Sequence, residues 1–176
     1  MSSAEVNSSM DIRSYREDVI FFFSRLGAVI VLMWLLLGVV FGITPMKNED
    51  MEPQIHAGDL LIYYRLEQDF RVQDVIVFEK DGIQYTGRIV AREGDSVEIT
   101  DHAELSVNGS VVQENNIYFT TPRYDDQIVY PEELGDDQFF VLCDYREGAR
   151  DSRYFGAVDK DEIRGKVITA IRRSNL

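Results

Sequence analysis

The chain holds one cysteine, Cys143, and two histidines, His56 and His102, among its 176 residues. One cysteine cannot form an intrachain disulfide, so the fold has to rest on packing. His56, His102 and Cys143 are too scattered to supply the three or four ligands of a zinc site. No glycine-rich phosphate loop sits between a strand pattern and a helix pattern. No metal and no cofactor are therefore expected. Basic residues are also scarce, 18 against 31 acids, for a net charge of −13. Residues 1–43 carry four acids and three bases, which leaves 27 acids against 15 bases, a net −12, on the remainder. Such a surface repels nucleic acid and anionic lipid within a Debye length, so nucleic acid is not an expected partner. There is no internal repeat and no low-complexity segment. Beyond residue 45 no stretch keeps a 3.6-residue apolar period for three turns, which excludes a helical domain there; the one short candidate is the helical turn at residues 130–135.

Long apolar runs are absent as well, with one exception. Residues 26–43, LGAVIVLMWLLLGVVFGI, contain eighteen residues without a charge, and residues 19–23 extend the run backwards past Ser24 and Arg25. At 1.5 Å per residue this crosses a hydrocarbon core of ~30 Å. A cleavable signal sequence would have an apolar region of about 7 to 15 residues ending in small residues, and neither condition is met. The sequence thus predicts one membrane-spanning helix at 19–43 after a tail, 1–18, in which nothing insists on structure. Arg13, Arg16 and Arg25 precede the span and only Lys47 follows closely, a bias that keeps the N-terminus cytoplasmic and exports residues 44–176. The expected localisation is a single-pass cell-membrane protein with its domain outside.

That domain is expected to be mainly β. Short runs rich in Val, Ile, Phe and Tyr occur at 60–64, 74–79, 83–91, 96–100, 104–112, 138–143 and 165–173, bounded by Gly-Asp, Asp-Gly and Asn-Gly pairs. Asn108-Gly109 and Asp81-Gly82 suit the positive φ angles of tight hairpins. There are too many strands for one flat sheet, which points to barrel-like closure. Residues 96–137 read as an inserted β and loop region, its part from 115 onward polar and carrying Pro122 and Pro131.

Four segments stand in fixed order: DMEPQIHAGD (50–59), QDVIVF (73–78), GRIVAREGD (87–95) and FVLCDYREGARDSRYFG (140–156). After one N-terminal span, this set resembles the type I signal peptidases, the Ser/Lys proteases that remove signal peptides outside the membrane. Met51, Pro53, Gly58 and Asp59 match the first motif of that family; Asp74, Val77 and Phe78 match its strand motif. Arg88, Gly94 and Asp95 match the third, and Asp144, Arg146, Asp151, Ser152, Arg153, Phe155 and Gly156 the last. The resemblance implies a signal-peptidase-like β domain behind a single N-terminal helix.

The catalytic residues do not carry over. The family's nucleophilic serine falls on Asp50, its base lysine on Gly87, and the serine that supports the lysine on Ala149. The glycine and asparagine of the last motif fall on Cys143 and Tyr145. No serine occurs from Thr44 to Asp95. Thr86 adjoins Gly87 but is expected on the opposite side of the strand, and Lys47 lies just before Asp50. An aspartic dyad of Asp50 with Asp151 would need a shared proton, and Arg153 is the expected partner of Asp151.

The resemblance implies a groove at Asp50, Met51, Pro53, Gly87 and Arg88. It is expected to rest on a hydrogen-bonded, ion-paired scaffold of Asp144, Arg146, Asp151, Ser152 and Arg153. Asp50 reads in two ways, as a carboxylate that accepts hydrogen bonds from a bound peptide or as a drifted residue. Met51 either touches the bilayer surface or fills the core. The Asp-for-Ser and Gly-for-Lys pair is similar to signal-peptidase-like proteins encoded with pilus genes in streptococci. That similarity implies a non-catalytic chaperone or assembly factor for an exported polypeptide, a pilin, working with a sortase. The alternative is an active signal peptidase that cleaves by an unusual mechanism.

Overall fold

The computed structural model describes residues 3–124 and 127–172, with side chains from Tyr15 onward. It separates into two units, residues 1–40 and residues 41–176.

The first unit is α1 (Ser3–Leu35), which runs on into a π-helical turn, Leu36–Val40. Within it, Tyr15–Val40 is 26 residues long and apolar enough to cross a membrane, and none of its apolar window is buried in protein. Phe21, Phe22 and Trp34 are all exposed, as side chains that meet lipid must be. Length and composition are those of a single-pass membrane anchor. The helix differs from expectation at both ends. It includes residues 3–18, which were read as part of a tail with no insistence on structure: a formed helix extends through polar residues at no nucleation cost. It stops before Phe41, because Phe41, Gly42 and Ile43 leave the apolar run to open a strand.

In the second unit, β1 (Phe41–Pro45) pairs antiparallel with β2 (Leu60–Tyr64), Phe41 facing Tyr64 and Ile43 facing Ile62. Next come β3 (Val75–Lys80) and β4 (Ile83–Arg92), joined by a two-residue turn in which Asp81 and Gly82 have φ of 52° and 74°. β5 (Ser96–Ile99), β6 (Leu105–Val107), β7 (Ser110–Val111) and β8 (Glu132–Glu133) form a separate four-stranded sheet ordered β7-β6-β5-β8. The turn between β6 and β7 has φ of 53° at Asn108 and 75° at Gly109. Glu132 and Glu133, within the expected helical turn, form a strand because Ser96 and Val97 of β5 offer them a free ladder. β9 (Gln138–Leu142), one turn of helix α2 (Ser152–Phe155), β10 (Val158–Asp159) and β11 (Ile163–Ile171) complete the unit. Arg173, the expected end of the last strand, lies outside the described residues.

The larger sheet runs β1-β2-β11-β3-β4-β9-β10. Among the described residues its edge strands β1 and β10 do not pair, so its ladders form no closed ring. β9 is buried on both faces, and its alternation serves two cores. Phe140 and Leu142 pack with Val97, Ile99 and Leu105, while Phe139 and Val141 pack with Ile76, Phe78 and Ile89. A third cluster of Met46, Met51, Ile55, Leu61, Cys143 and Ala149 lies beneath the segment that carries Asp50.

Candidate functional site

β1 ends at Pro45, and the chain turns through residues 48–55 before it reaches β2. Two backbone bonds tie this turn down: Tyr145 N–H donates to the Asp50 carbonyl at 2.8 Å, and Met46 N–H to the Asp59 carbonyl at 2.8 Å. Met51, completely buried, pins the turn to the third core cluster. Asp50 is thereby held at the wall of a cleft of about 180 Å³, lined by residues 45–48 and Asp50 on one side and residues 83–86 on the other. Both walls end in free strand edges. Among the described residues β1 is the last strand of its sheet, and β4 pairs with β9 only from Arg88 onward, so residues 83–87 have a strand neighbour, β3, on one side alone. Among the described residues one side-chain bond crosses the gap, from Gln84 Nε2 to Thr44 Oγ1 at 2.8 Å.

Asp50 is half-buried, and its side chain accepts a hydrogen bond from the Asn48 amide. Burial raises its pKa, the Asn48 bond opposes the rise, and the nearby Asp151 charge adds to it. A carboxyl with a raised folded-state pKa stabilises the fold below its unfolded pKa and loses that contribution as pH rises through the folded value. Asp50→Asn should therefore melt higher than the wild type at pH 7, and the difference should vanish below about pH 4, where the wild-type carboxyl is also neutral. Thermal melts across that pH range check this; an Asp50→Asn protein less stable at pH 7 would contradict it.

The space for a lysine at position 87 is gone. Gly87 is buried and does not line the cleft. A Cβ built there would lie 2.6 Å from Val141 Cγ1 and 3.2 Å from the Leu142 carbonyl oxygen. Val141 is stiff at χ1 and fully buried, so it cannot swing clear cheaply. Ala149, at the supporting position, is buried among apolar neighbours and has no hydroxyl. Cys143 Sγ–H instead points to the Thr86 carbonyl at 3.6 Å, and burial pushes its thiol pKa well up. Thr86 and Lys47 do line the cleft beside Asp50, yet no hydrogen bond joins their side chains to each other or to Asp50 among the described residues.

The scaffold residues do come together. Asp144, Arg146, Asp151, Ser152 and Arg153 are all completely buried. Arg153 donates to both Asp151 oxygens at 2.8 Å and to the Arg146 carbonyl at 2.7 Å. Asp151 also accepts from Cys143 N–H at 3.0 Å, and Ser152 Oγ accepts from Val141 N–H at 2.9 Å, so α2 is stitched to β9. Arg146 reaches the Cys143 carbonyl, Thr121 and Glu114, which clamps residues 114–121 onto the sheet.

Two residues assigned to the groove are engaged elsewhere. Met51 is wholly inside the core, because Leu61, Cys143 and Ala149 close over it. Arg88 grips Asp144 with two bonds, of 2.8 and 2.6 Å, and donates to the Gln73 carbonyl at 3.0 Å. The Asp144 bond raises its pKa against the opposing effect of burial. Of the expected groove residues, Pro53 is exposed on the turn and Asp50 alone lines the cleft. Thr86 was considered only as a hydroxyl beside position 87, and Ile83, Gln84 and Tyr85, which share the wall opposite Asp50 with it, were not singled out from the sequence. Their only signal was adjacency to position 87 on a strand.

Among the described residues no cluster of acidic, histidine and cysteine side chains could hold a metal ion. What the fold and site define is a β domain that follows an apolar helix of membrane-spanning length, with an open strand-edge cleft and a buried Asp/Arg scaffold; among the described residues no nucleophile paired with a base lines the cleft. Residues 19–171 match the family model for signal peptidase, peptidase S26, and the chain belongs to that family. It is 27% identical over 163 residues to an inactive signal peptidase IA of Staphylococcus aureus, covering 86% of this chain and 90% of that one. It is 30% identical over 130 residues to a probable signal peptidase I-2 of Synechocystis, covering 68% of this chain and 57% of that one. A crystal structure of a signal peptidase I from Enterococcus faecalis superposes with a TM-score of 0.46 at 24% identity, over 58% of this chain and 98% of the other.

Proposed function

We propose that this protein is a catalytically silent, membrane-anchored signal-peptidase-like factor that holds an exported polypeptide without cutting it. It acts as a chaperone or assembly factor, with a pilin as the held polypeptide and a sortase as the polymerising enzyme. The observation that carries the reading is a pair of free strand edges facing one cleft, beside a filled lysine path and a missing nucleophile. An extended polypeptide can pair its backbone with β1 and with residues 83–87, which is binding by strand addition. The naming of a Staphylococcus aureus relative as inactive supports the silent half of the reading. The pilin and the sortase come from the resemblance of the Asp50 and Gly87 replacements to pilus-linked proteins.

The test is deletion of the gene followed by blotting of surface proteins. Loss of high-molecular-weight pilin polymers is expected, with recovery on return of the wild-type gene. Recovery should fail with Thr86→Trp, which fills the cleft. Unchanged polymers in the deletion strain would contradict the proposal.

The arginine bias before the span places the domain outside the cell in this reading. Protease added to intact protoplasts should then remove residues 41–176 and leave an anchor fragment. Protection of the domain would reverse the orientation.

A further inference from the structure

We propose that the cleft selects a polypeptide carrying a cationic side chain, lysine or arginine, which docks on the Asp50 carboxylate. This rests on the cleft binding an extended chain, as argued above.

The backbone that carries the Asp50 carboxylate is held in place, through the bond from Tyr145 N–H to the Asp50 carbonyl and the burial of Met51 beside it. The carboxylate's one side-chain hydrogen-bond donor among the described residues, the Asn48 amide, is neutral. Among the described residues no lysine or arginine makes an ion pair with it. Four other cations of the unit are engaged elsewhere: Arg88 with Asp144, Arg153 with Asp151, Arg146 with Glu114 and Lys166 with Asp74. Lys47 lines the same cleft but is exposed and pairs with no acid among the described residues. A half-buried carboxylate left with one neutral donor has given up water without a compensating charge. A ligand cation supplies that charge through a short charge-assisted bond.

A strand-adding polypeptide spends its backbone N–H groups on β1 and on residues 83–87, so its side chains are what remains for Asp50. Ile83, Tyr85, Pro45 and Met46 line the same space. They offer apolar contact to the methylene stem of a lysine whose ammonium reaches the carboxylate.

The experiment uses the full chain in lipid nanodiscs and fluorescent nine-residue alanine- and threonine-based peptides. The central residue is lysine, acetyl-lysine or norleucine. The lysine peptide should bind about tenfold more tightly than either neutral one, the preference expected of a hydrogen bond to a charged group. Asp50→Asn should bring all three within about twofold of one another by removing that partner. Glu98→Gln, an exposed acid on the smaller sheet, should keep the preference, which separates a local pair from attraction to an acidic domain. Equal binding of the three peptides by the wild type would overturn the proposal and leave the cleft reading standing. A lysine preference that survives Asp50→Asn would overturn it too. Failure of every peptide to bind would overturn both.

Discussion

Arg153→Ala is expected to lower the melting temperature by about 10 °C or more, the equivalent of roughly 3 to 5 kcal/mol in a domain of this size. Arg153 and Asp151 are both completely buried, and the guanidinium holds the carboxylate through two 2.8 Å bonds. Burial opposes the Arg153 charge, but the hydrogen bond to Asp151 and the attraction of its charge together outweigh it, so the guanidinium stays charged. Without the guanidinium, Asp151 keeps, among the described residues, only the N–H groups of Cys143 and residue 153, and a buried anion remains uncompensated. The carbonyls of Arg146 and Pro122 lose a donor as well. The charge mechanism has its own check: Asp151→Asn added to Arg153→Ala should recover part of the loss, because the second change removes the stranded charge. An unchanged melting temperature in Arg153→Ala would show that the scaffold does not hold the fold.

Asp50→Ser with Gly87→Lys is expected to remain at least about a hundredfold below a working signal peptidase on a preprotein, since errors near 1 Å in placing reactive groups cost that much. A lysine acts as base only when its surroundings lower its pKa and aim its amine at the serine oxygen. At position 87 the first carbon of the side chain already meets Val141 Cγ1 at 2.6 Å and the Leu142 carbonyl at 3.2 Å. The strand must shift or Val141 must leave its rotamer before the amine can be aimed. Ala149 offers no hydroxyl to orient it, and Cys143 occupies the floor that the family leaves to glycine. Adding Ala149→Ser and Val141→Ala should raise the activity above that of the double variant. Full activity from the two substitutions alone would mean that the surroundings are intact and only the reacting pair was lost.

The two hairpins were legible because Asp81-Gly82 and Asn108-Gly109 are local chemistry: a tight turn needs positive φ, and these residues accept it at little cost. β1 was not legible, since nothing in an apolar run separates its last residues, which pair with Tyr64 and Ile62, from the helix before them. β8 exists only because β5 has an edge to offer, a fact of tertiary structure. The same division runs through the site. Asp151, which caps the one-turn helix, and Arg153 within it are two residues apart, so their pairing is local and could be read from the sequence. Arg88 could not be assigned that way, because its partner Asp144 comes from a distant strand end. Met51 was ambiguous until Leu61, Cys143 and Ala149 were seen to close over it.

Silence of the site is tested most directly by the mass of a preprotein incubated with the full-length protein in lipid vesicles. The expected result is a preprotein of unchanged mass, with wild-type protein and with Asp50→Ala alike, because neither has a nucleophile facing a base. A shortened preprotein that appears with the wild type and disappears with Asp50→Ala would contradict the account and make Asp50 a catalytic residue.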